Sequence, residues 1–95
     1  GMAHSEIEIS TGRFTKVNDR FCRMVGYTFD ELIGGMTFLD ITHPDDRRAT
    51  REAIQRLCET EANSVELEKR YLRKDGTVLW VRINSTVVRD SKGNP

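Results

Sequence analysis

Ile7 and Ile9 alternate with Glu6, Glu8 and Ser10, and after Thr11-Gly12 comes a second short alternation, Arg13-Phe14-Thr15-Lys16-Val17. A period of two marks extended chain with one buried face, and a glycine-containing break between two such runs predicts a β-hairpin. The pattern then turns helical. Phe21, Met24 and Val25 fall on one side of a short helix for which Asn18 is a suitable N-cap and Gly26 a suitable left-handed terminator. Thr28-Phe29-Asp30-Glu31 has the form of a capping box, with Tyr27 placed to staple against Leu32, and Gly34-Gly35 ends that turn of helix.

Thr42-His43-Pro44-Asp45-Asp46 is a further helix start, because Pro44 suits the first helical position and two aspartates complement the positive end of the helix dipole. From Pro44 to about Thr60 the spacing predicts an amphipathic helix, with Ala49, Ala53, Ile54, Leu57 and Cys58 inside. Arg47, Arg48, Arg51, Glu52 and Arg56 face outwards, Glu52 and Arg56 being spaced for an i,i+4 pair. A long hairpin follows: Val65, Leu67 and Tyr71 alternate with Glu66, Glu68 and Arg70, Asp75-Gly76 turns the chain, and Thr77 to Val88 returns. In the returning strand Leu79, Val81, Ile83, Ser85 and Val87 share the face assigned to the core, and Val78, Trp80, Arg82, Asn84 and Thr86 share the other. The amphipathic helix is expected to lie on this last hairpin, an α+β arrangement.

A chain of 95 residues with 37% hydrophobic content supports one domain with one core. Gly1-Met2 reads as a remnant ahead of the natural sequence, which leaves residues 3–95 as the domain. Fifteen basic residues balance fifteen acidic ones, so no field of one sign draws the domain onto nucleic acid or a membrane surface. The arginines of the long helix are interleaved with Glu52, Glu59 and Glu61 and stand apart from the aromatics, which suits a solvated face and not a base-stacking surface. Cys22 and Cys58 are too far apart for a CxxC motif and too few for a disulfide framework, which fits a reducing, cytoplasmic setting. The apolar runs of three or four residues fall far short of the ~20 that cross a bilayer. A soluble piece with no direct membrane contact is expected, and a membrane anchor elsewhere in a parent protein is compatible with it.

Candidate chemistry is sparse. His43 precedes a proline at a helix start, where capping and turn geometry account for it, and no second His or Cys stands at metal-ligand spacing. Asp45 and Asp46 are helix N-terminal charges before they are an acid–base pair. No nucleophile, base and oxyanion set can be assembled, so the expectation is a non-catalytic domain with no metal.

The strings GRFTKVNDRFCRMVGYTFDELIG, FLDITHPDDR, EKRYLRKDGTVLWV and VVRDSKGNP, in this order and spacing, closely resemble the PAS family over nearly the whole chain. The resemblance implies a five-stranded antiparallel sheet with short helices and one longer helix packed on one face, and a pocket between the layers. PAS domains normally continue past the residues matching Gly93-Asn94-Pro95 into a final, central strand, so the domain is read as truncated before it. That leaves unpaired backbone groups around Ile7 to Ser10 and along the strand of Trp80, and self-association by strand exchange or edge pairing is expected to cover them. No cofactor is expected. Flavin-binding light sensors of the family carry a reactive cysteine where this chain has Gly35-Met36-Thr37-Phe38-Leu39, and the Pro44–Thr60 helix lacks the histidine that ligates haem in other relatives.

By the same resemblance the chain is a sensory or dimerisation module of a bacterial-type signalling protein. Its output domain, a histidine kinase or a diguanylate cyclase of the GGDEF type, would lie outside the chain and receive the signal through Asp90-Ser91-Lys92-Gly93. A ligand-free interaction scaffold is the alternative. The pocket would be lined by Phe21, Met24, Leu32 and Phe38, by Ile54 and Leu57 of the long helix, and by Leu67, Tyr71, Val81, Ile83 and Ser85 of the hairpin. Such a lining can hold a small organic ligand or be a filled core, and with no polar cluster to mark a head group the filled core is favoured. Val78, Trp80, Arg82 and Thr86 are the expected interface of a homodimer formed through the outer sheet face. An exposed Trp there either finds a partner at the centre of an interface or stacks on Arg82 or Arg70.

Overall fold

The computed structural model describes residues 2–87. The turn assigned to Lys92-Gly93-Asn94-Pro95 and the signal exit at Asp90 to Gly93 lie outside the described residues. The chain runs β1 (Ser5–Ile7), β2 (Phe14–Val17), α1 (Asp19–Val25), α2 (Phe29–Ile33), a 3-10 turn (Pro44–Asp46), α3 (Arg47–Glu59), β3 (Ser64–Leu72) and β4 (Val78–Thr86).

Several boundaries have a local cause. Asn18 Oδ1 accepts from the Phe21 N–H at 2.9 Å and so begins α1. Gly26 ends it at φ 81, a conformation that side chains with a Cβ disfavour, and its N–H returns to the Cys22 carbonyl oxygen. The capping box is complete: the Glu31 N–H donates to Thr28 Oγ1 at 3.1 Å, and Glu31 Oε1 accepts from the Thr28 N–H at 3.0 Å. His43 caps the 3-10 turn, its Nδ1 accepting from the Asp45 N–H at 3.1 Å, which is the capping role its place before a proline suggests. At the second hairpin Gly76 takes φ 88 and Asp75 Oδ1 accepts from the Thr77 N–H at 2.9 Å.

β1 pairs with β2, and β3 with β4, both antiparallel. Segment 36–43 ties the two hairpins together. Phe14 N donates to the Met36 carbonyl oxygen and Phe38 N to that of Gly12 at the first hairpin, while His43 N donates to Arg70 O and Leu72 N to Ile41 O at the second. Among the described residues β1 has no strand partner other than β2, and β4 none other than β3. The first hairpin is shorter than its alternation suggests, since β1 stops at Ile7 and Ile9 is exposed.

The core sits between the hairpins and the helices: Phe14, Val17, Phe21, Val25, Leu32, Ile41 and Tyr71 are buried together. Phe21 links the layers, its ring 5.5 Å from Phe14 on β2 and 6.3 Å, edge to face, from Tyr71 on β3. In β4 the odd positions from Leu79 to Ser85 are half-buried and the even positions from Val78 to Thr86 exposed, so the alternation reads as expected.

The long helix is rotated from the expected phase. Thr50, Ala53 and Leu57 are its buried residues, whereas Ala49 is exposed. Arg47, expected outside, folds back and donates from Nε to the carbonyl oxygens of Leu39 at 3.0 Å and Thr42 at 3.1 Å. The exposed i,i+4 pair that forms is Arg48–Glu52 at 3.8 Å.

Candidate functional site

β3 packs against α3, and alternation turns Leu67, Lys69 and Tyr71 inward and Glu66 and Glu68 outward. The inner position between Leu67 and Tyr71 holds a cation. Lys69 is 5% exposed, its Nζ donates to Thr42 Oγ1 at 3.1 Å, and the rings of Phe38 and Tyr71 lie 5.9 and 5.4 Å from it. Burial away from water disfavours the ammonium and lowers its pKa to about 8, with the Asp46 carboxylate acting in the opposite sense. The same burial pushes the Tyr71 hydroxyl up to about 12. Sequence reasoning passed over Lys69, although its odd number, shared with Leu67 and Tyr71, already placed it on the inner face.

A cavity of about 80 Å³ lies between the start of α3 and β3, bordered by Asp46, Ala49, Thr50, Leu67, Glu68 and Lys69. Of the residues expected to line a pocket, this cavity meets Leu67. Phe21, Leu32 and Tyr71 stand in the buried core cluster, with Met24, Phe38, Val81 and Ile83 packed against it. Leu57, on α3, is buried, and Ile54 and Ser85 are half-buried.

Asp46 borders the cavity. Its Oδ2 accepts from the Arg70 backbone N–H at 2.8 Å and from Nε at 3.0 Å, and Oδ1 accepts from a terminal guanidinium nitrogen at 2.7 Å. These hydrogen bonds from Arg70 hold the Asp46 carboxyl down at about 2. On the outer face Arg70 stands directly across from Trp80, its guanidinium 5.2 Å from the ring centroid. Of the two arginines considered for that stacking, Arg70 is the one in place, because Arg82 pairs with Glu66 at 3.3 Å and Glu68 at 3.7 Å. Trp80 nevertheless stays 63% exposed and Val78 47%, and Arg82 and Thr86 share that exposed face.

Among the described residues no group of three or more His, Cys, Asp or Glu could hold a metal ion, and no helix is long and apolar enough to cross a membrane.

The two hairpins with helices laid over them form an antiparallel α+β domain. The PAS fold family profile matches residues 14–95, and the chain belongs to the PAS family. It is 32% identical over 84 residues to the Probable diguanylate cyclase DgcE of Escherichia coli, a match covering 88% of this chain and 8% of that protein. It is 28% identical over 83 residues to the C4-dicarboxylate transport sensor protein DctS of Rhodobacter capsulatus, covering 87% of this chain and 13% of that one. Among solved structures, the PAS-B domain of Drosophila melanogaster Cycle, a W398A variant with bound glycerol, superposes with a TM-score of 0.83 at 18% identity, over 96% of this chain and 86% of that one. The chain is thus homologous to segments of signalling proteins and spans a small fraction of the length of these curated relatives.

Proposed function

We propose that this chain is the sensory and dimerisation module of a larger cytoplasmic or membrane-anchored signalling protein, itself non-catalytic, which passes a cue to an output domain elsewhere in that protein. The observation that carries this reading is the pairing of near-complete coverage of the chain with 8% coverage of the diguanylate cyclase relative: the shared unit is a module, and the catalytic output belongs to the remainder. A histidine kinase or a diguanylate cyclase is the output that the relatives favour. The cue acts by shifting the balance between two packings of the helices on the sheet. Small-ligand sensing is supported by the cavity under α3, and homodimer formation by the exposed face of β4 and by its edge, which has no strand partner but β3 among the described residues.

A second reading, a ligand-free scaffold that only sets oligomer geometry, is favoured by Trp80, an aromatic whose exposure suits the centre of an interface. Native mass spectrometry of freshly purified protein separates the two. A co-purified small molecule supports the sensor, and an empty dimer supports the scaffold.

A further inference from the structure

Both backbone groups of Arg70 go to the segment that leads into α3: its carbonyl oxygen accepts from the His43 N–H at 2.9 Å, and its N–H donates to Asp46 Oδ2 at 2.8 Å. Arg70 therefore faces Trp80 as a non-hydrogen-bonded antiparallel pair, the kind whose side chains stand closest. That geometry lays the guanidinium against the indole, 5.2 Å from the ring centroid. Its Nε and a terminal nitrogen meanwhile reach Asp46 Oδ2 and Oδ1 at 3.0 and 2.7 Å. Asp45, 4.0 Å from the guanidinium and 73% exposed, is a weak second partner.

Asp46 is also the N-cap residue of α3. A carboxylate at that position ordinarily accepts from the N–H of the second or third helical residue, here Arg48 or Ala49, yet Asp46 makes no side-chain cap bond. Its backbone, at φ -105 and ψ -2, lies outside the extended region that a capping residue takes. One carboxylate thus stands between two sets of donors, Arg70 on the strand and the first turn of the helix, and serving one leaves the other unserved. Free space adjoins the carboxylate on the helix side, since the cavity of about 80 Å³ is bordered by Asp46 and Ala49. The strand holds it in this structure because three hydrogen bonds, two of them from a guanidinium, outweigh one cap.

We propose that the Asp46 carboxylate is a two-position device coupling the start of α3 to the outer sheet face: bound to Arg70 it holds the guanidinium over Trp80, and turned back to cap α3 it releases the guanidinium and bares the indole. The exchange requires ψ of Asp46 to rotate, so a change in how α3 leaves the 3-10 turn is read out on the exposed face of the hairpin. Coupling of this kind is reciprocal: whatever draws Arg70 off the indole frees Asp46 for the helix. The device deepens the function proposed above, because it is an element with two arrangements through which a shift in helix packing reaches the surface proposed for dimerisation.

The experiment is NMR of the isotope-labelled 95-residue chain, at concentrations where it sediments as a monomer. It follows the Arg48 and Ala49 amide protons, which move downfield on gaining a side-chain acceptor, and the ring-current shift of the Arg70 side chain over the indole. Arg70→Met leaves the carboxylate without its strand partner, and a first-turn amide should move downfield. Asp46→Asn keeps a good cap but loses the charge, so it should move the same amide and abolish the Arg70 shift. Trp80→Ala, at an exposed position, should move that amide in the same direction by a smaller step. A merely structural clamp predicts the opposite, a frayed helix end with amides moving upfield. First-turn amides that stay in place or move upfield in Arg70→Met or Trp80→Ala overturn the device, as does an Arg70 shift retained in Asp46→Asn. Should Arg70→Met not fold, Trp80→Ala decides. The dimerisation reading fails separately. Downfield first-turn amides in a protein whose self-association ignores Trp80→Ala leave the device standing and count against dimerisation through this face, whereas fixed amides with Trp80-dependent self-association do the reverse.

Discussion

Asp46 and Arg70, 24 residues apart, form a clamp in which one carboxylate takes three hydrogen bonds from one arginine, at 2.8 Å from its backbone and at 3.0 and 2.7 Å from its guanidinium. Because the guanidinium also lies against Trp80, the clamp joins the start of α3 to the outer sheet face. It is a physical link between the side that packs on the helices and the exposed side that carries Trp80 and Val78.

Asp46→Asn removes the charge and should destabilise the fold by about 1.5–3 kcal/mol, the range for hydrogen bonds to a charged group. The folded carboxyl titrates at about 2, against 3.8 when unperturbed. Its stabilisation is therefore complete above pH 3.8 and is lost as pH falls through 2. Urea unfolding between pH 2 and 5 should show this dependence in the parent protein and lose that component in the variant.

Lys69 acts in the opposite direction. Its folded pKa of about 8 lies below the 10.5 of an exposed lysine, so the unfolded chain holds more protons between these values and stability rises with pH across that window. Lys69→Met should raise stability at pH 7 by about 1–3 kcal/mol, the gain from replacing a buried charge by an apolar side chain of similar length. The difference between the two proteins should shrink from pH 8 to 10. Comparing the two cancels the common loss of stability above pH 10, where the unfolded chain ionises the Tyr71 hydroxyl that the folded state keeps protonated to about 12.

Trp80→Ala should weaken self-association at least ~10-fold if the outer sheet face is the dimer surface, since buried interface tryptophans carry about 2 kcal/mol or more. At 63% exposure the indole contributes little to the monomer's core. Sedimentation over a concentration series measures the effect, and an unchanged dissociation constant counts against this face as the interface.

Asn18→Ala should cost about 1–2 kcal/mol, the upper range for a lost N-cap. Asn18 Oδ1 accepts from both the Phe21 and His4 N–H groups, and Nδ2 donates to the Met2 carbonyl oxygen. Hydrogen exchange should quicken at the His4 and Phe21 amides together; a change at Phe21 alone would show that the cap acts within α1 only.

Local features were legible in the residues themselves. The Thr28–Glu31 capping box, the Asn18 and Gly26 caps and the inward parity of β4 each depend on neighbours within a few positions, and so did the motifs that placed the chain in its family. The parity of Lys69 was equally legible, but a cation on an apolar stripe is naturally passed over when its partners are distant in sequence.

Alternation along the chain by itself determined which strand faces turn inward, and short-range hydrogen bonding determined where helices begin and end. Only the tertiary structure decided the rotation of α3 that buries Thr50 and exposes Ala49, the choice of Arg70 for both Asp46 and Trp80, and the meeting of Lys69 with Thr42, 27 residues away. The physical reason is that an amphipathic stripe on a helix is broad, about 100° or more, so its period leaves the orientation loose until side chains interlock with the sheet. Pairing between distant charges likewise depends on distances that exist only once the hairpins and helices have packed.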